Sequence, residues 1–137
     1  MAKQRQGLLD TSVLIDLERI EPDELPDEMA IAAISLAELA AGPHATSDPR
    51  ERARRQERLQ RVEATFSPLP FDADAARAYG QIYALVASTG RKARGRRAAD
   101  LMIAATAVAA GVPLFTCNAA DFAGLGHLVQ VVAVRSH

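Results

Sequence analysis

Gly7-Leu8-Leu9-Asp10-Thr11-Ser12-Val13-Leu14 is the stretch on which the reading of this chain turns. Leu8-Leu9 is a short apolar strand fed by Gly7, and Asp10 ends it directly. Thr11 or Ser12 is placed to cap a helix running to about Ile20, with Val13, Leu14 and Leu17 on its apolar side. A strand that breaks on a carboxylate and turns at once into a helix opens an α/β unit. In such sheets, ligands bind beyond the carboxyl ends of the strands.

Working outward, residues 29–34 read as a buried second strand. Ser35-Leu36-Ala37-Glu38 then matches a capping box and opens a short helix that ends at Gly42-Pro43. Asp48 caps, and Pro49 starts, a long Arg-rich helix to about Thr65. Residues 68–71 read as a short strand. Asp72 caps a helix with Ala76, Tyr79, Ile82, Tyr83 and Val86 at helical spacing, which Gly90 ends. Residues 98–110 form a nearly all-apolar helix closed by Gly111. Residues 113–116 are a further strand, 118–122 a turn, and 128–134 a last β-rich run. Strands alternating with helices predict one α/β domain over residues 1–137, a three-layer sandwich around a mainly parallel sheet.

The chain has 137 residues, 49% of them hydrophobic and 24% charged, the profile of a globular domain with one sizeable core. Aromatics make up 4% and there is no Trp, so an aliphatic core fits better than a face of base-stacking rings. The lone cysteine, Cys117, excludes a disulfide-stapled fold. Residues 1–7 are polar and basic, unlike a secretory leader, and the longest apolar stretch is interrupted by Thr106 and Gly111. A cytoplasmic protein with no membrane span is expected. The net charge of −1 hides a separation of signs. Between Asp10 and Glu38 nine acids face one base, Arg19, whereas residues 50–61 and 91–97 are basic. Such a chain can hold an acidic pocket beside a basic rim.

Four acids fall near strand ends in this reading. Asp10 ends the first strand, Glu38 lies one turn into the helix after the second, Asp100 lies in the first turn of its helix, and Asp121 follows the strand at 113–116. Converging carboxylates repel by about 4 kcal/mol per pair at ~4 Å and an effective dielectric near 20, so such a cluster takes up protons or binds cations. Oxygen donors suit Mg²⁺ or Mn²⁺. Three histidines and one cysteine make zinc a poor fit. A Mg²⁺ held by carboxylates with open positions suits phosphodiester hydrolysis. Asp10 and Asp100 are the expected primary ligands. Glu38, Asp121 and the carbonyl of Asn118 complete the surroundings, and an acid among them takes the proton from the attacking water. Thr11 and Ser12 are candidates to position a phosphate or a water. Arg91, Lys92, Arg94, Arg96 and Arg97 are candidates to track a nucleic-acid backbone.

Each acid also has a plain structural role open to it: Asp10, Glu38 and Asp100 at helix amino termini, Asp121 in a turn.

The same residues resemble a family. Leu8-Leu9-Asp10-Thr11-Ser12-Val13-Leu14-Ile15 is similar to the opening strand of PIN-domain nucleases, and Ile34-Ser35-Leu36-Ala37-Glu38-Leu39 to their second acidic motif. Residues 99–107 resemble the third motif and 115–122 the fourth. In that fourth motif Asn118 stands where many members carry Asp, with Asp121 further on. A chain of this length most resembles the VapC-type toxins of type II toxin–antitoxin pairs. The resemblance implies a Mg²⁺-dependent endoribonuclease that inhibits translation, a homodimer, and a cognate antitoxin whose tail enters the acidic groove. Alternatives are a PIN-domain RNA-processing nuclease that is not a toxin, or a metal-dependent binding module without catalysis. A haloacid-dehalogenase-type site needs a second Asp where Ser12 stands, and a receiver-type site needs a lysine near the acids, whereas the two lysines are Lys3 and Lys92.

Overall fold

The computed structural model describes residues 5–90 and 95–137, with the backbone alone at Arg96. Four short strands, β1 (Gln6–Leu9), β2 (Glu28–Ile31), β3 (Leu114–Thr116) and β4 (Val131–Ala133), form one sheet in the order β2-β1-β3-β4. All three pairings are parallel, with Leu9 opposite both Ile31 and Phe115, and Thr116 opposite Ala133. Parallel strands need crossovers. Helix α1 (Thr11–Ile15) and two single 3₁₀ turns lead from β1 to β2. Helices α2 (Ala33–Ala41), α3 (Pro49–Thr65), α4 (Ala73–Ala87) and α5 (Arg96–Ala110) lead from β2 to β3.

Side-chain alternation sorts these helices into two layers. Leu8 and Leu114 point to one face of the sheet, where they pack with Ile82 and Val86 of α4 and Leu101, Ala104 and Ala105 of α5. Leu9, Ile31 and Phe115 point to the other, with Val13 and Leu14 of α1, Leu39 of α2 and Val62 of α3. This is the expected three-layer arrangement. Phe115 and Phe122 are core residues, whereas Tyr83 on α4 is 48% exposed. Gly7 is dictated by crowding: a Cβ there would run into the Phe115 ring and meet Pro26 Cγ at 3.0 Å.

Several local expectations hold. Asp48 accepts from the Arg50 N–H and Asp72 from the Ala75 N–H, each capping its helix. Gly111 (φ +69) closes α5 in the left-handed region, and the Val112 N–H returns to the Ala107 carbonyl. Others are corrected. The first helix stops at Ile15, and its cap is Asp10, not Thr11 or Ser12. The capping box at Ser35 does not form: α2 begins at Ala33 behind Ala32, which leaves Ser35 inside the helix and fully buried. The Ile31 carbonyl accepts from the Leu69 N–H and the Ala33 N–H donates to the Leu69 carbonyl, so the neighbouring segment satisfies the helix's first N–H and the cap falls three residues early, at Ala32. That single bridge is all that residues 68–71 contribute in place of the expected strand. Helix α5 opens at Arg96 behind Gly95, not at Ala98, so Asp100 lies past its first turn.

Candidate active site

The parallel topology puts the carboxyl ends of all four strands on one edge. Asp10 follows β1, α2 with Glu38 follows β2, and Asn118 with Asp121 follows β3. Helix α5 turns into β3 through Gly111, so its amino end, with Asp100, comes back to the same edge. The guanidinium of Arg97 in the first turn of α5 donates to the Asp121 carbonyl, which ties these two segments together.

Asp10 is the most constrained of the acids. It is 4% exposed, and its own N–H is held by the Phe115 carbonyl at 3.0 Å. Its Oδ1 accepts from the Ser12 hydroxyl at 2.6 Å and from the Val13 N–H at 3.1 Å. Both bonds fall on Oδ1, and Oδ2 is the oxygen they leave for a cation. Asp10 is therefore a helix cap and a candidate ligand together, using one oxygen for each role. The Ser12 oxygen also accepts the Cys117 N–H at 3.0 Å, which binds the end of β1 to the end of β3. Burial pushes the Cys117 thiol above its ordinary value. The hydrogen bond with Ser12 works against this, and the negative charge of Asp10 adds to it.

Glu38 is half-buried in the second turn of α2, and the Thr11 hydroxyl donates to its Oε1 at 2.6 Å. The Thr11 oxygen also lies 3.1 Å from the buried Ser35 hydroxyl. With its one proton on Glu38, Thr11 accepts from Ser35. Thr11 and Ser12 thus spend their protons on carboxylates and act as orienting groups. Asn118 and Asp121 are exposed; the Asn118 N–H donates to the Thr116 hydroxyl at 2.9 Å, and the Asp121 N–H to the Asn118 carbonyl at 2.9 Å.

Among the described residues, no three His, Cys, Asp or Glu side chains stand close enough together to hold a metal ion. The four acids share an edge without forming a closed cage. Their donor chemistry still suits a hard divalent cation: every candidate ligand is an oxygen, and the carboxylates of Asp10 and Glu38 are oriented by hydrogen bonds. Of the basic candidates, Arg97 is half-buried and committed to the Asp121 carbonyl, so it braces a turn. Arg91, Lys92 and Arg94 lie outside the described residues, as does the side chain of Arg96. Sequence reasoning missed Ser35 as a partner of Thr11. The one available signal was its position three residues before Glu38, which pointed instead to a cap.

A parallel α/β sandwich with oriented acids along the carboxyl edge of its sheet defines a class of acid-edged α/β proteins. Within that class this chain belongs to the PIN domain family, whose model matches residues 7–127. Ribonuclease VapC5 of Mycobacterium tuberculosis is 36% identical over 132 residues, 94% of this chain and 94% of that protein. VapC ribonuclease Y4jK of Sinorhizobium fredii is 34% identical over 134 residues, 87% of this chain and 91% of that protein. The crystal structure of VapBC-5, a member of the VapBC family of toxin–antitoxin systems from Mycobacterium tuberculosis, matches with a TM-score of 0.80. The match is at 36% identity and covers 96% of this chain and 98% of that one.

Proposed function

We propose that this chain is the toxin of a toxin–antitoxin pair: a Mg²⁺-dependent endoribonuclease, with Mn²⁺ able to substitute, that hydrolyses RNA phosphodiester bonds and so inhibits translation and growth. The observation that carries this reading is the buried, doubly hydrogen-bonded Asp10 at the carboxyl end of β1, in a chain whose relatives along nearly its whole length are named ribonucleases.

Asp10 and Asp100 would hold the ion, with Glu38, Asp121 and Asn118 around it. Bound there, Mg²⁺ supplies Lewis-acid chemistry that acidifies a water and stabilises the leaving oxygen. The protein's own contribution is preorganisation. Ser12 and Val13 fix the Asp10 carboxylate, Thr11 fixes Glu38, and Arg97 fixes the backbone at Asp121. Glu38 or Asp121 takes the proton from the attacking water. The protein acts in the cytoplasm as a homodimer and is neutralised by a cognate antitoxin whose tail enters the acidic groove. Among the described residues no helix is long and apolar enough to cross a membrane.

The test is cleavage of RNA with and without Mg²⁺ or Mn²⁺, comparing wild type with Asp10→Asn and Asp100→Asn. Metal-dependent cleavage that both variants lose, with unchanged circular dichroism, is expected. Undiminished activity in either variant overturns the site, and no cleavage of any RNA by the wild type favours a binding module.

A further inference from the structure

We propose that Arg58 on α3 is a phosphate-binding residue that holds the RNA strand beside the cut; this rests on the ribonuclease reading above. A groove of about 480 Å³ runs from Thr11 and Glu38 to Arg55 and Arg58, with Ile15 in its wall. A second groove shares Ile15 and Arg58 and continues between α1 and α3 past Arg54 and Arg61 towards Phe66. Arg58 therefore stands where the two grooves meet, on the way out of the acidic centre.

Helix α3 turns four arginines towards these grooves, and three are already engaged. Arg55 donates to Glu51 Oε1 at 3.1 Å and to the Gly42 carbonyl at 2.9 Å. Arg61 donates to Glu18 at 2.5 Å, and Arg54 lies 3.8 Å from Glu51. Among the described residues, Arg58 has no carboxylate or carbonyl partner, although it is half-buried. A partly desolvated guanidinium without a counter-ion attracts an anion, and its planar fork matches a phosphate. The reaction itself brings that anion. An RNA strand is a polyanion entering a centre lined with carboxylates, so a cation just outside offsets the repulsion and sets the strand's direction. Ile15, 42% exposed between the two grooves, offers an apolar surface to a ribose or base there. An acidic segment of a partner protein is the competing occupant.

Arg58→Gln and Arg58→Lys are compared with wild type for binding of a fluorescein-labelled, mixed-sequence single-stranded RNA, by anisotropy in EDTA over a salt series. Arg58→Gln is expected to bind roughly tenfold more weakly, the value of one charged hydrogen-bonded contact, and to lower the slope of log affinity against log salt by about 0.7. Arg58→Lys keeps the slope and recovers part of the affinity. In cleavage, KM rises and kcat holds. An unchanged affinity and slope in Arg58→Gln overturn the proposal. So does a variant that binds RNA normally but no longer holds its antitoxin, which assigns Arg58 to protein recognition. Wild type that binds RNA but never cleaves it with metal sinks the ribonuclease reading separately, because the binding comparison is made without metal.

Discussion

Replacing Ser12 with Ala removes one oxygen and breaks two bonds, one local to the end of β1 and one that joins β1 to β3. The first is the hydroxyl's bond to Asp10 Oδ1 at 2.6 Å, within the range of a charge-assisted O–H···O⁻ bond. Such bonds are worth about 1.5–3 kcal/mol. The second is the Cys117 N–H, which loses its acceptor. An unsatisfied donor costs about 1–3 kcal/mol, and the low end applies because Cys117 is half-buried and water can reach it. The Val13 N–H still holds Asp10 Oδ1, so the terms do not add fully. A loss of about 2–3 kcal/mol follows, or about 8–12 °C in Tm at roughly 4 °C per kcal/mol for a chain of this size. The same change frees the Asp10 carboxylate to rotate, and losing such an outer partner typically costs about 10–100-fold in metal affinity or activity. Urea denaturation and metal-dependent RNA cleavage measure the two effects. A double-mutant cycle with Asp10→Asn isolates the Ser12–Asp10 coupling. Ser12→Ala that stays within about 0.5 kcal/mol of wild type and cleaves at the wild-type rate would refute the claim that this hydroxyl organises the site.

Thr11→Val keeps the shape of the side chain but deletes the 2.6 Å bond to Glu38. Cleavage should fall about tenfold with a stability loss near 1 kcal/mol, and full activity would show that Glu38 needs no orientation. Gly7→Ala forces a methyl into the Phe115 ring and should cost about 1–3 kcal/mol in denaturation, leaving metal binding per folded molecule unchanged. Burial raises the Cys117 thiol above its ordinary value in the folded state. Iodoacetamide should therefore modify the native protein more slowly than the urea-unfolded chain near pH 8. This thiol's contribution to stability is complete below the unfolded thiol's pKa and declines as pH rises towards the folded one. Equal native and unfolded alkylation rates would contradict that environment.

Much of the fold is legible where the controlling interaction is short in sequence. Asp48 and Asp72 cap the helices that follow them because each accepting oxygen and donating N–H lie two or three residues apart. Gly111 ends α5 because a left-handed residue is needed one place beyond Ala110. The same local logic failed at Ser35. Its spacing to Glu38 fits a cap, but Leu69 bonds the Ile31 carbonyl and the Ala33 N–H, and the helix starts earlier. In the candidate site, Asp10 is visible as an acid directly after an apolar strand. That its Oδ1 alone carries the cap is not, because Ser12 serves both Asp10 and the distant Cys117.

The sequence by itself determined the alternation of strands and helices, the three-layer sandwich that this alternation implies, and the acids placed near strand ends. These follow from side-chain periodicity and residue chemistry, which act within a few positions. Only the tertiary structure decided that Thr11 reaches Glu38, that Ser12 joins β1 to β3, that Arg97 braces the Asp121 turn, and that Arg58, without an ion pair among the described residues, stands where two grooves meet. Those arrangements depend on which strand lies beside which and on the packing of α3 against α2. Residues 24 to 105 positions apart are brought together by burial of a shared core, and no local preference encodes that.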